Sequence, residues 1–153
     1  MGARTLKPAP HVPYDEDFAA WALETAQLLR ERRFDDIDVD NLVEEVESMA
    51  GSQRRELLSR ATVLIIHLLK WRHQPNRRPR SFRSTIGTQR VELDRLFRQS
   101  PSLKREVAQT IREVYRDAVE SAGNQTGLPP ETFPPECPFT AEQILDRDFL
   151  PTC

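Results

Sequence analysis

A nearly unbroken apolar run in the middle of the chain limits most strongly how this sequence can fold. Between Ala61 and Leu69 the only polar side chains are those of Thr62 and His67. A helix that is apolar on almost every side must be enclosed by other elements. The run is also far shorter than the roughly 20 apolar residues that a helix needs to cross a bilayer. It therefore predicts a buried central helix, extending over residues 52–74, in a helical domain outside the membrane.

Apolar residues recur at steps of three and four along most of the chain, which is the period of an amphipathic helix. No strand-like alternation and no internal repeat is visible. The sequence therefore predicts an all-α fold, a bundle of five main helices followed by a short C-terminal helix that starts at a Thr140-x-x-Gln143 capping box. The predicted helices cover residues 15–32, about 40–50, 52–74, 81–99, 101–122 and 141–147. The predicted N-cap is Asp15 for the first helix and either Asp38 or Asp40 for the second.

The second and third of these helices are predicted to form a hairpin. Gly51 is a typical residue for the end of a helix, and Ser52 is a typical N-cap for the next one. So short a connection makes the two helices antiparallel neighbours. In that hairpin Leu42, Val46 and Met49 form the inner stripe of the first helix.

Residues 123–138 hold two glycines and five prolines, and also the apolar Leu128 and Phe133. We expect an irregular strap over the bundle, held in place by those two side chains. Residues 14–151 are thus predicted to form a single all-α domain, and residues 1–13, with three prolines, a flexible N-terminal arm.

A cytoplasmic location is the expectation from the same sequence. The first 13 residues contain no apolar core of a secretory signal. The two cysteines, Cys137 and Cys153, form neither a CxxC pair nor a disulfide framework.

His67 is the residue in the apolar run whose chemistry most needs an explanation. An imidazole among apolar side chains requires a hydrogen-bond partner. A glutamate at position 44, 45 or 47 is a candidate partner, although the register of an antiparallel hairpin brings the aspartates at 35, 36 and 38 closer. A structural histidine and a general base both remain open, and the structural role is the commoner case. The candidate polar cluster comprises Glu44, Glu45, His67, Lys70, Trp71, Gln89 and Arg90.

The sequence shows no pattern that is typical of a metal or cofactor site. A ferritin-like metal centre requires Glu-x-x-His pairs, and the chain has none. His67 and His73 are six residues apart and cannot share one helical face. Gly-rich phosphate loops and nucleophile elbows are also missing from the sequence. We therefore predict no metal, no cofactor and no catalytic residue, and the remaining enzyme hypothesis uses Glu44 or Glu45 with His67.

The charges are distributed very unevenly, although the formal net charge is only −2. Residues 14–50 carry 12 acidic and 3 basic side chains, and residues 51–100 carry 12 basic and 3 acidic ones. Helices of opposite charge can pack side by side, or the basic segment over 70–98 can face an anionic partner. Nucleic acid is the alternative partner on this second interpretation. The candidate nucleic-acid-binding residues are Arg72, Arg77, Arg78, Arg80 and Arg83.

Several stretches together resemble the bacterial domain of unknown function 29 family. They are Asp17-Phe18-x-x-Trp21, Asn41-Leu42-x-Glu44-Glu45-x-Glu47-Ser48, His67-Leu68-Leu69-Lys70-Trp71, residues 81–90, and Thr126-Gly127-Leu128-Pro129 with Glu136-Cys137-Pro138. The resemblance covers about residues 14–151 and implies an all-α fold, no established activity and no catalytic residues. The expected function is a non-enzymatic protein-interaction or self-association module, whose partner is another protein or a second copy of the chain.

Overall fold

The structure of the chain is a computed structural model, and it describes residues 11–153. Every regular element in that range is helical, which confirms the predicted all-α fold. The flexible arm predicted for residues 1–13 lies almost wholly outside the described residues. The α-helices, in chain order, are α1 (Phe18–Arg30), α2 (Val39–His73), α3 (Arg80–Gln99), α4 (Val107–Thr126) and α5 (Ala141–Leu145).

Helix α2 corrects the predicted hairpin, because one helix replaces the two that were expected over 40–50 and 52–74. Gly51 and Ser52 lie inside α2 and do not end it. A glycine in a helix interior costs only about 1 kcal/mol relative to alanine, and the chain has no proline between Val39 and His73 that would break the helix. The long runs of helix-forming residues on both sides therefore outweigh the local turn signal.

The other helix boundaries follow the capping residues that the sequence offers. Asp17, two residues beyond the predicted cap at Asp15, accepts a hydrogen bond from the first turn of α1. Asp38 accepts one from the first turn of α2. The predicted capping box forms at α5, where Thr140 and Gln143 each accept a hydrogen bond from the other's backbone N–H.

The chain divides into two compact units, which meet in sequence between Ala50 and Gly51. The single domain predicted over 14–151 stays a prediction. In the first unit α1 is followed by a 3-10 turn at Phe34–Asp36 and by the first residues of α2. The buried side of α1 consists of Trp21, Thr25 and Leu28.

The second unit has a core built on the apolar run of α2. Leu64, Ile65, Leu68 and Leu69 are fully buried, as the sequence predicts. The run is enclosed by the inner faces of α3 and α4 and by the chain that follows α4. No helix within the described residues is both long enough and apolar enough to cross a membrane. The core also contains Ile86, Leu93, Leu96, Ile111, Val114, Ala118, Phe139 and Ile144.

The Pro-rich stretch after α4 is an ordered part of the second unit. Gly127, with φ of 73°, adopts the left-handed conformation that ends α4, and its N–H donates to the Gly123 carbonyl at 2.8 Å. Phe133 is buried in the core, and Leu128 packs against the core from its edge. The two predicted anchors of the strap therefore hold it as expected.

Candidate functional site

His67, the centre of the predicted polar cluster, makes its hydrogen bond within its own helix. Its Nδ1 lies 2.9 Å from the carbonyl oxygen of Val63, and a carbonyl can only accept, so this nitrogen carries the proton. The half-buried ring meets the edge of Phe82, with 5.7 Å between the ring centroids. The partner is thus a backbone carbonyl, and the carboxylate that we expected from residues 35–47 is not needed.

The surroundings of His67 favour its neutral form. Burial lowers the pKa of the imidazole, and the positive charge of Lys70 lowers it further, against the raising effect of the bond to Val63. Lys70 itself lies over Phe82, with its Nζ 4.3 Å from the ring centroid, and donates to Gln125 at 3.0 Å. These contacts tie α2, α3 and α4 together, which is a structural role.

Trp71 and Arg78 form a second pair at the end of α2. The Arg78 guanidinium lies 4.8 Å from the centroid of the Trp71 ring, and its Nε donates to the Trp71 carbonyl at 2.8 Å. Its Nη2 also lies 3.1 Å from the sulfur of Cys153. Arg78 is one of the candidate phosphate contacts, and in the structure it closes the connection between α2 and α3.

Arg90 is the most deeply buried charged residue of the predicted cluster, with only 2% of its surface exposed. Its Nε and Nη1 each donate to a backbone carbonyl at 2.8 Å, those of Ile144 and Phe149, and its Nη2 donates to the Gln143 carbonyl at 3.1 Å. The neighbouring Gln89 accepts a longer bond from Arg60 at 3.3 Å. Arg90 therefore fastens the C-terminal segment to α3 and is not free to bind a ligand.

The remaining arginines of the basic segment have different exposures. Arg77, Arg80 and Arg83 are exposed, and Arg72 is half-buried. Only part of the predicted nucleic-acid-binding set is therefore presented to solvent.

The two glutamates of the predicted cluster lie in the first unit. Glu45 accepts a short hydrogen bond from the hydroxyl of Tyr14, and this bond raises the pKa of Tyr14 to about 12. The Tyr14 ring meets the edge of Trp21 at a centroid distance of 4.9 Å. Glu45 therefore links the entry of α1 to α2, whereas Glu44 is exposed.

A stripe of exposed apolar side chains runs along α2 in the first unit. Val39, Val43, Val46 and Met49 are each between 49% and 63% exposed. Val46 and Met49 were predicted to face inward, and this is wrong because the hairpin that would cover them does not form. Of the nine exposed large apolar side chains in the described residues, eight belong to the first unit.

A row of carboxylates runs beside that stripe. Asp40, Glu44 and Glu47 each follow a stripe valine by one residue, so the same spacing of four and three residues places them in a parallel row on the helix. All three are exposed. We call the two rows together the acidic apolar face. Its residues are Val39, Val43, Val46 and Met49 with Asp40, Glu44 and Glu47.

The model of the family described as "Domain of unknown function DUF29" matches residues 13–150. The chain belongs to this family. No curated protein and no solved structure matches it.

In this DUF29 chain, the stretches that carry the resemblance contain residues that hold the fold. Asp17 caps α1, and Trp21 belongs to its buried side. His67 and Arg90 bond to backbone carbonyls within the second unit. Family membership therefore agrees with the all-α fold and assigns no chemistry to these side chains.

One pocket of this DUF29 chain combines a tyrosine with a cysteine. It has a volume of about 460 Å³ and is lined by Tyr115, Cys137 and Phe139, among others. Burial raises the pKa of Tyr115 to about 12 and also raises that of the Cys137 thiol. Both groups are therefore protonated at neutral pH, which is the opposite of what an activated nucleophile needs. No group of three or more metal-ligating side chains occurs in the described residues.

The acidic apolar face was not predicted from the sequence, because Val46 and Met49 were assigned to a buried stripe and Val39 and Val43 were not assigned to any surface. Apolar residues at helical spacing predict a buried stripe, and the same spacing is required of a stripe that meets another molecule. The nearby charges were counted, but only as a segment total. Whether α2 is one continuous helix decides between a buried core stripe and an exposed contact stripe.

Proposed function

We propose that this chain is a non-enzymatic protein-interaction module and that the acidic apolar face is its contact surface. The observation that supports this proposal most strongly is the row of four exposed large apolar side chains on one helix. Single exposed apolar residues are ordinary, but a contiguous apolar patch bordered by polar residues is typical of an interaction site. An amphipathic stripe at helical spacing suits recognition between helices. The proposal keeps the cytoplasmic location expected from the sequence.

The enzyme hypothesis has weaker support from the hydrogen bonds of its own residues. The proton of His67 Nδ1 is directed to the Val63 carbonyl, and Glu45 is engaged by Tyr14. A general base needs a nitrogen or carboxylate that is poised toward a substrate. Glu45 instead accepts a hydrogen bond from Tyr14, so of these two groups the hypothesis keeps only the Nε2 of His67 as a base with a free lone pair.

Photo-crosslinking in cells that naturally make the chain tests the proposal directly. A benzophenone amino acid replaces Val43 in the full-length chain, and the matched control carries it at Val91, an exposed valine on α3. We expect light-dependent protein adducts from position 43 and few from position 91. If position 43 gives no adduct with any protein, the acidic apolar face is not a contact surface and the proposal fails.

Nucleic-acid binding is the second candidate function. The supporting observation is that Arg77, Arg80 and Arg83 are exposed near the start of α3. Neighbouring exposed guanidinium groups can neutralise the phosphates of a nucleic acid. The candidate is weaker because Arg78 is occupied by Trp71, and no exposed aromatic side chain lies within 72–83 to stack a base.

A further inference from the structure

The acidic apolar face has the dimensions of a site for one helix. From Val39 to Met49 it spans ten residue steps, or about 15 Å at 1.5 Å per residue. The spacing of four, three and three residues is that of a stripe which packs against a second helix by side-chain interdigitation. A partner helix of about three turns is sufficient to cover it.

Charge decides which kind of helix this face accepts. Residues 34–53 contain seven acidic side chains and no basic one. Two copies that met through the same face would bring their carboxylate rows together, and like charges beside a helix–helix contact oppose pairing. A partner with basic side chains beside its apolar stripe would instead pair with Asp40, Glu44 and Glu47, which are all exposed. The face therefore opposes the same face of a second copy and complements a basic helix.

We infer that the occupant of the acidic apolar face is an amphipathic helix of another protein, with apolar residues at three- and four-residue spacing and lysine or arginine on their flanks. This inference rests on the proposed function and specifies its partner. The apolar rows provide the buried contact. The opposite charges set the orientation and accelerate the encounter, an effect that salt weakens.

A pair of synthetic peptides serves as the probe. Both are fluorescent helices of about fourteen residues, roughly four turns, with leucine along one stripe, and one carries lysine on both flanks where the other carries glutamate. Binding to the full-length chain is measured by fluorescence anisotropy at low and high salt. We expect the lysine peptide to bind at least about tenfold more tightly than the glutamate peptide, and to lose affinity as salt rises.

Matched variants locate the binding on the protein. Val43→Glu with Val46→Glu should weaken binding of the lysine peptide by about tenfold or more, and Val91→Glu on α3 should not. Converting Asp40, Glu44 and Glu47 to their amides should weaken binding and flatten its salt dependence. The charge-matched control converts Asp117, Glu120 and Glu142, which are exposed in the second unit, and should leave binding unchanged. Circular dichroism checks that each variant is folded.

The outcomes separate this inference from the proposed function. Equal binding of the two peptides, or binding that the double valine variant does not weaken, overturns the basic-helix partner. A purified chain that dimerises and becomes monomeric with Val46→Glu overturns it as well, in favour of a second copy. If position 43 nevertheless yields adducts in cells, the interaction module stands and only its partner was misidentified. If position 43 yields none, the proposed function itself is lost.

Discussion

The guanidinium of Arg90 illustrates how a charged residue can be part of a core. Three of its five N–H groups donate to the backbone carbonyls of Gln143, Ile144 and Phe149, so the buried charge is hydrogen-bonded by each of its three nitrogens. Planar, forked donors suit this arrangement, and a lysine ammonium could not reach all three acceptors. Arg90 is thus a fastening point between α3 and the chain around α5.

Replacing Arg90 by lysine should lower the free energy of unfolding by about 3 kcal/mol, since hydrogen bonds to charged groups contribute about 1.5–3 kcal/mol each and at least one buried carbonyl loses its donor. Urea unfolding followed by circular dichroism measures the change. Arg98→Lys, at an exposed position of the same helix, is the control and should shift stability very little. A loss of less than about 1 kcal/mol in the Arg90 variant would contradict the fastening role.

His67 predicts a dependence of stability on pH. Burial lowers its pKa below the ordinary value of 6.5, so the unfolded chain binds more protons than the folded one between the two pKa values. The contribution of His67 to the free energy of unfolding is therefore fully present above the ordinary pKa. It is lost as the pH drops from the ordinary pKa toward the lowered one. Unfolding by urea at about pH 7.5 and about pH 5.5 measures this slope.

The variant His67→Gln keeps a polar side chain that does not titrate, and should flatten that slope. His73, whose pKa burial also lowers, leaves part of it in place. An unchanged slope in His67→Gln would show that the imidazole is not titrated on unfolding as proposed.

Sequence alone could find the residues of this cluster but not their partners. His67 stands out because it interrupts an apolar run, and its need for a hydrogen bond follows from burial. The partner is the Val63 carbonyl, and every helical residue has such a carbonyl, so the side-chain pattern carries no signal for it. The partners of Arg90 are likewise backbone groups more than 50 residues away in sequence.

Helix α2 shows which structural elements periodicity can and cannot predict. The apolar run and the stripes of the later helices were predicted from spacing, and Pro75 and Pro79 lie in the break between α2 and α3. Gly51 and Ser52 gave an equally clear turn signal that the fold does not use. The helix penalty of these two residues is small, so tertiary context decides between a turn and a continuous helix.

The variant Gly51→Ala distinguishes these two possibilities. In a continuous helix, alanine should raise the free energy of unfolding by about 0.5–1 kcal/mol. A Cβ at this position would lie 3.3 Å from the Nη1 of Arg55, the end of a flexible side chain that can move aside. At a left-handed helix end the same change would destabilise the protein. Thermal unfolding decides the sign, and a destabilised variant would restore the hairpin.

At the scale of the whole molecule, the charges are divided along the sequence more sharply than the net charge of −2 indicates. Residues before Gly51 are strongly acidic, and residues 51–100 are strongly basic. Within the second unit, several of the basic side chains form ion pairs with carboxylates. Arg54 pairs with Glu106 and Glu113, and Arg60 with Glu56 and Glu92.

This distribution predicts weak retention of nucleic acid. We expect gel-shift experiments with single- and double-stranded DNA and RNA to show little binding at physiological salt, because only Arg77, Arg80 and Arg83 of the predicted phosphate contacts are exposed. The comparison variant changes Arg77, Arg80 and Arg83 to glutamate. Tight binding by the parent chain that salt weakens steeply, and that this variant abolishes, would identify the second candidate function as the main one.

The burial of Arg90 also limits when the second unit can fold during synthesis. Phe149 follows Arg90 by 59 residues, so the acceptors of this guanidinium are made well after α3 itself. At about 5–20 residues per second, a ribosome takes roughly 3–12 s to cover that distance. Throughout that interval the nascent chain carries an arginine whose acceptors do not yet exist. The second unit therefore cannot complete its core during synthesis of α3 and α4, and closes only after the segment around α5 has emerged.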